Sequence, residues 1–233
     1  MEAWLEWARG PAFWFALAFF ALGLIRHVGL TWWEIIRAVA RAGDQSIPYK
    51  NLAVATARWL FPVGKIKKRA IYSVTTVAFH VSIIVVPIFL AGHIALIYRG
   101  VGLSWPAIPG HLADLLTLIA IVTAIALVIE RVAARDSRQI SHFSDYLIPV
   151  LVMAPFATGL MLARPALNPL SMEAMFFAHV MSANLLLVLI PITKLSHCAL
   201  MPTAQIVTEV AWHFTPDAGS KLAVALGKEK EPI

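Results

Sequence analysis

Long apolar runs alternate with short charged segments along this chain. Gly10 to Ile25 carries no charge, Arg26 and His27 interrupt the run, and apolar character resumes to Trp33. Ala70 to Tyr98 has no formal charge over 29 residues. Leu112 to Ala133, Tyr146 to Ala163 and Ala174 to Cys198 complete the set. A helix of about 20 apolar residues crosses the hydrocarbon core of a bilayer. The pattern therefore predicts an all-α membrane protein with five transmembrane helices, over about 11–33, 70–98, 112–133, 146–163 and 174–198. They form a single domain followed by a tail, 199–233. Trp14 at one end of the first span and Trp32 and Trp33 at the other suit the aromatic belts of the two interfaces.

The segments between the spans set the topology. Loop 34–70 carries eight Lys or Arg, among them Arg37, Lys50, Lys65 and Lys67. Loop 131–145 carries Arg131, Arg135 and Arg138, and the tail Lys221, Lys228 and Lys230. The opposite side has only Arg9, Arg99 and Arg164. The positive-inside rule places the N-terminus outside and the C-terminal tail in the cytoplasm of a bacterial inner membrane. Within loop 34–70, Asn51 to Val63 is apolar but too short to span, and reads as an interfacial or partner-docking helix. The N-terminus lacks a cleavage motif and reads as the start of a retained helix.

Composition agrees and removes other classes. Only 14% of residues are charged and 60% are hydrophobic, against about a quarter charged in soluble domains. The net charge of +6 lies in loops between apolar spans, so it indicates no nucleic-acid partner; the expected surroundings are membrane lipid. The single cysteine, Cys198, excludes an internal disulfide, and no CxxCH, HExxH or glycine-rich phosphate loop is present. Cys198 reads as a small buried residue.

Chemistry resides in the histidines. His179 and His197 stand eighteen residues apart in AHVMSANLLLVLIPITKLSHC. On one continuous helix that is five turns, which puts both on one stripe about 27 Å apart, near opposite membrane surfaces. His80 and His93 occur in FHVSIIVVPIFLAGH. Intramembrane ionisable groups are costly and mark function, and imidazole is a common axial ligand of haem iron. With spans two and five antiparallel, His80 and His197 share the cytoplasmic depth and His93 and His179 the outer depth. That gives two bis-histidine sites for haem b, with no open position for oxygen, and so electron transfer. An ideal helix would put His80 and His93 about 140° apart in azimuth. Pro87 between them is expected to kink the span and bring His93 round; without that rotation one haem, on His80 and His197, is expected. His27 reads as an interfacial side chain beside Arg26, and His111, His142 and His213 as solvated loop histidines.

The segment HVMSANLLLVLIPITKLSH resembles the last helix of the gamma subunit of respiratory nitrate reductase, a dihaem cytochrome b. The FH…GH helix resembles that family's, with three more residues between the histidines. This spacing and the following SWPAIPGHLADLLTL are closer to the related cytochromes b of redox complexes in sulfur-metabolising anaerobes, the Tmc and Dsr types. The resemblance implies His80/His197 and His93/His179 as haem b ligand pairs. It also implies exchange of electrons with menaquinone or another quinone, and a cytoplasmic iron–sulfur subunit as partner. The chain would then be the electron-transfer subunit of a quinol/quinone oxidoreductase. At the outer ends of the spans, Arg99 and Arg164 are candidate quinone or propionate contacts, and His111 with Asp114 a candidate proton-handling pair. Glu173 opens the fifth span beside them, where a carboxylate suits the helix dipole. An outer cytochrome c is a further candidate partner. Two alternatives remain. One is a hydrogenase- or formate-dehydrogenase-type cytochrome b whose partner is mainly on the outer side. The other is a proton or metal transporter with a histidine relay, against which stand the dry stretches 83–86 and 186–190.

Overall fold

The computed structural model describes residues 1–41, 49–60, 70–213, 224–225 and 227. The described elements are helical. In chain order they are α1 (Glu2–Trp7), a π-helical turn (Ala8–Ala12), α2 (Phe13–Arg41), α3 (Tyr49–Leu60), α4 (Ala70–Phe89), α5 (Ala91–Val101), α6 (Gly110–Ala133), α7 (Arg135–Gln139), α8 (Ser144–Ala163), α9 (Met172–Ile192) and α10 (His197–His213), with 3-10 turns at Pro165–Leu167 and Lys194–Ser196. Five helices are long and apolar enough to cross a membrane, Glu2–Arg37, α4, α6, α8 and α9. The chain is a multi-pass membrane protein.

Residues 1–18 and 66–189 form one compact unit, and residues 19–65 and 190–233 a second. In the first, α6 packs against both α4 and α8. Its buried stripe is Ala113, Thr117, Ala120 and Ala124, returning every three or four residues. Small side chains let helices approach closely where apolar burial itself gains little, since lipid is as apolar as leucine. Phe79, Ser82 and Val86 are the buried face of α4, and Val152, Pro155 and Phe156 that of α8. Thr117 satisfies its hydroxyl within its own helix, on the Ala113 carbonyl at 2.8 Å. Large side chains point outward instead: Ile84, Leu115, Val122 and Ile129 are all exposed, as lipid contact requires. In the second unit α3 packs against α10. Pro191 lies so close to Gly23 that a Cβ there would overlap its ring.

Three spans depart from their expected form. The first is longer than 11–33: helix begins at Glu2, passes through the π turn at Pro11, and runs to Arg41. Pro11 has no N–H for the preceding turn, and a widened turn absorbs that loss. The second span is not one helix over 70–98. It stops at Phe89, Leu90 is extended (φ −72°, ψ 129°), and α5 starts at Ala91. The fifth is not one helix over 174–198. It stops at Ile192 just after Pro191, Thr193 is extended, and its Oγ1 accepts the Leu195 N–H at 3.3 Å before a new helix opens at His197. His197 is therefore not on the helix of His179, and the same-stripe placement over five turns is overturned. Of loop 34–70, residues 34–41 extend α2 and Tyr49–Leu60 is the expected short helix; Lys65, Lys67 and the tail lysines Lys221, Lys228 and Lys230 lie outside the described residues.

The break at Leu90 leaves the last carbonyls of α4 without helical donors, which is costly in an apolar medium. Each has been given another. Pro87 O accepts from His93 Nδ1 at 3.0 Å, Ile88 O from the Trp105 indole at 2.8 Å, and Phe89 O from the Ile108 amide at 3.0 Å. The SWPAIPG turn thus folds back to close the helix end, after Gly102 has ended α5 in the left-handed conformation, φ 73°.

The Gly23–Pro191 approach yields a contrast between two glycines of one helix. Gly23→Val forces a side chain into the Pro191 ring and should cost about 1–3 kcal/mol. Gly29→Ala, where nothing lies within 4 Å, should gain up to about 1 kcal/mol from helix propensity. Thermal unfolding of both variants in detergent, followed by tryptophan fluorescence, checks the opposite signs.

Candidate functional site

Of the four histidines expected as ligands, the structure brings His93 and His179 together. Their ring centres are 6.0 Å apart and the planes differ by 12°. His93 is placed by the α4–α5 break: without it, no carbonyl of α4 would reach the Nδ1 of a residue six positions on. His179 is placed by α8. Its Nδ1 donates to Pro155 O at 2.9 Å and lies 3.3 Å from Thr158 Oγ1. Gly159 makes room for this, since a Cβ there would sit 3.1 Å from His179 Cε1.

A carbonyl can only accept, so each Nδ1 carries the proton and each neutral ring keeps its lone pair on Nε2. Among the described residues neither Nε2 of this pair has a hydrogen-bond partner. A metal-ligating histidine shows the same division, one nitrogen bonded to a carbonyl and the other presented to the metal. The two rings are stacked, with their planes nearly parallel. No cluster of three or more His, Cys, Asp or Glu occurs among the described residues. What the pair offers chemically is two imidazoles whose Nδ1 atoms are held by the carbonyls of Pro87 and Pro155.

His80 and His197 have the same tautomer. His80 Nδ1 donates to Thr76 O at 2.8 Å on its own helix, and His197 Nδ1 to Lys194 O at 2.8 Å in the 3-10 turn. The two belong to different units, and each stands on its own local geometry. His27 is the contrast. Its Nε2 lies 2.7 Å from Pro191 O, so the nitrogen a haem would need is already used. It is half-buried and bonds a helix end. His142 is exposed, and its backbone N–H caps onto Asp145 at 2.9 Å; the side chain of His213 is outside the described residues.

The other candidates divide between two places. Arg164, just past the end of α8, donates to Asp114, the fifth residue of α6, so Asp114 pairs with Arg164 and not with His111. His111 is the second residue of α6, not a loop residue, and is exposed. Arg99 lies elsewhere, in a cleft of about 300 Å³ with Arg9, Trp14 and Gly100. Glu173 opens α9 as an exposed carboxylate. Cys198 is exposed, not buried as expected, and partial desolvation pushes its thiol above the ordinary range. Sequence reasoning did not find Pro155, Thr158, Gly159 or Trp105 as orienting groups. The signal for Pro155 and Gly159 was the unusual density of proline and glycine in the fourth span.

No protein-family model matches the chain, and no solved structure does. A protein of Nitratidesulfovibrio vulgaris (strain Hildenborough), whose name is simply "Protein", is 32% identical over 198 residues, which cover 82% of this chain and 85% of that protein. The chain belongs to the family of that Nitratidesulfovibrio vulgaris protein.

Proposed function

We propose that this chain is the cytochrome b subunit of a quinone-linked oxidoreductase in a bacterial inner membrane. It would carry electrons across the bilayer between the quinone pool and a cytoplasmic iron–sulfur partner, with its N-terminus outside. The observation that carries this reading is the His93–His179 pair, parallel, 6.0 Å apart, with both Nδ1 atoms committed to proline carbonyls. Haem b held by two imidazoles supplies one-electron transfer and has no open position for oxygen. The chain's own residues do the rest. Pro87 and Pro155 carbonyls hold the tautomer and orientation of the two rings, Gly159 admits one of them, and the outward Ile and Val side chains exclude water. The assignment of His80 and His197 to a second haem rests on the family resemblance and on their matching tautomers.

A parallel imidazole pair at this distance also falls in the range of offset ring stacking. Haem content separates the two readings. Purified chain should give two haem b by pyridine haemochrome. His93→Ala and His179→Ala should each lose the same one and His80→Ala and His197→Ala the other, while His27→Ala loses neither. Protein that is folded and haem-free overturns the cytochrome reading; a folded single-haem protein that keeps its haem in His93→Ala overturns the His93–His179 site.

For the quinone, the Arg164–Asp114 pair with exposed His111 at the start of α6 is the proposed headgroup and proton-handling cluster. His111→Ala and Asp114→Asn should slow haem reduction by a quinol analogue by about 10²-fold or more, with haem spectra unchanged. Stopped-flow reduction checks this, and wild-type rates in both variants would place the quinone elsewhere. The short basic helix α3 is the proposed docking surface for the iron–sulfur subunit. A cross-linker at Lys50 should capture that subunit from the native complex, whereas cross-links confined to the Arg9 and Arg99 ends would favour an outer partner.

A further inference from the structure

The side of the protein poor in Lys and Arg carries three arginines, and the fold uses them unequally. Arg164 is bonded to Asp114. Arg9 and Arg99, ninety positions apart in sequence, line one cleft of about 300 Å³ together with Glu6, Gly10, Trp14, Leu96 and Gly100. The cleft is built for close approach. A Cβ at Gly100 would overlap the Trp14 ring, so α5 and the start of α2 meet there without a side chain between them. The π turn at Ala8–Ala12 carries Arg9 and Gly10 at the cleft wall, a device that often marks functional positions.

The charges do not cancel. Glu6 stands 3.6 Å from Arg9 in a loose pair whose carboxylate side chain is 65% exposed. Among the described residues Arg99 has no carboxylate partner. Two guanidinium forks on opposite helices, against one half-committed carboxylate, suit an anion with several oxygens, for which arginine is the preferred side chain. The Trp14 indole beside them is characteristic of the headgroup level of a bilayer.

We infer that the Arg9–Arg99 cleft binds a phosphate group, and that its source is the headgroup of an anionic membrane phospholipid. The lipid would clasp the first helix to α5, the arm that bears His93. The site does not depend on haem, which allows it to be tested apart from the function proposed above.

The full chain is purified in detergent and offered phosphatidylglycerol, phosphatidylcholine or inorganic phosphate. Retained lipid is read by native mass spectrometry and stability by thermal unfolding. Wild type should retain phosphatidylglycerol in preference to phosphatidylcholine. Arg99→Gln and Arg9→Gln should each retain roughly tenfold less or lower still, because a hydrogen bond to a charged group is lost. Arg99→Lys, which keeps the charge without the fork, should fall between. Retention equal to wild type in both glutamine variants would overturn the site. Stabilisation by inorganic phosphate as large as by phosphatidylglycerol would overturn the lipid as its source. His179→Ala should keep full retention; loss of lipid in that variant, with Arg9 and Arg99 intact, would show that the cleft serves the haem pocket and overturn the inference.

Discussion

A peptide carbonyl without a donor inside a bilayer costs several kcal/mol, and this chain breaks its membrane helices repeatedly. Prolines at 87, 155 and 191 remove helical N–H groups, and extended residues at Leu90 and Thr193 end helices within or at the edge of apolar spans. Histidine side chains bond three of the proline carbonyls. His93 bonds Pro87 O, His179 bonds Pro155 O and His27 bonds Pro191 O, so all three of these proline carbonyls receive an imidazole. Because each carbonyl demands a donor, it also selects which ring nitrogen keeps the lone pair. These backbone contacts therefore fix the orientation of the rings.

The same contacts separate histidines of different use. Four of them donate Nδ1 to a carbonyl, which leaves Nε2 as the basic nitrogen at the far end of the ring. His27 reverses the roles and serves as a helix tie. Glycine takes part wherever a ring must come near backbone: Gly159 under His179, Gly23 under Pro191 and Gly100 under Trp14. Each approach is tight enough that the ring or helix has little freedom to shift.

Charge is distributed by a second logic. The arginines Arg9, Arg99 and Arg164 are placed individually by the fold. Arg164 is drawn to Asp114 across two helix ends, and Arg9 and Arg99 converge on one cleft. A charge at the membrane interface is cheap enough to keep and strong enough to position a headgroup, whether of a quinone or of a lipid.

Helical class and the number of spans were legible from hydropathy, because a bilayer punishes any other arrangement. Pro87 even pointed to the distortion of the second span. The sites of the breaks were not legible. Spacing arithmetic assumed a continuous helix from His179 to His197, and the helix stops at Ile192 because Pro191 weakens it and Thr193 offers a cap. Nor could any local pattern say that His93 would turn back to Pro87, that Trp105 and Ile108 would close the same helix end, or that Asp114 would choose Arg164 over His111. Those choices join residues up to fifty positions apart. They are made only when the helices pack, because each polar group must then find its partner among whatever neighbours the fold brings within reach.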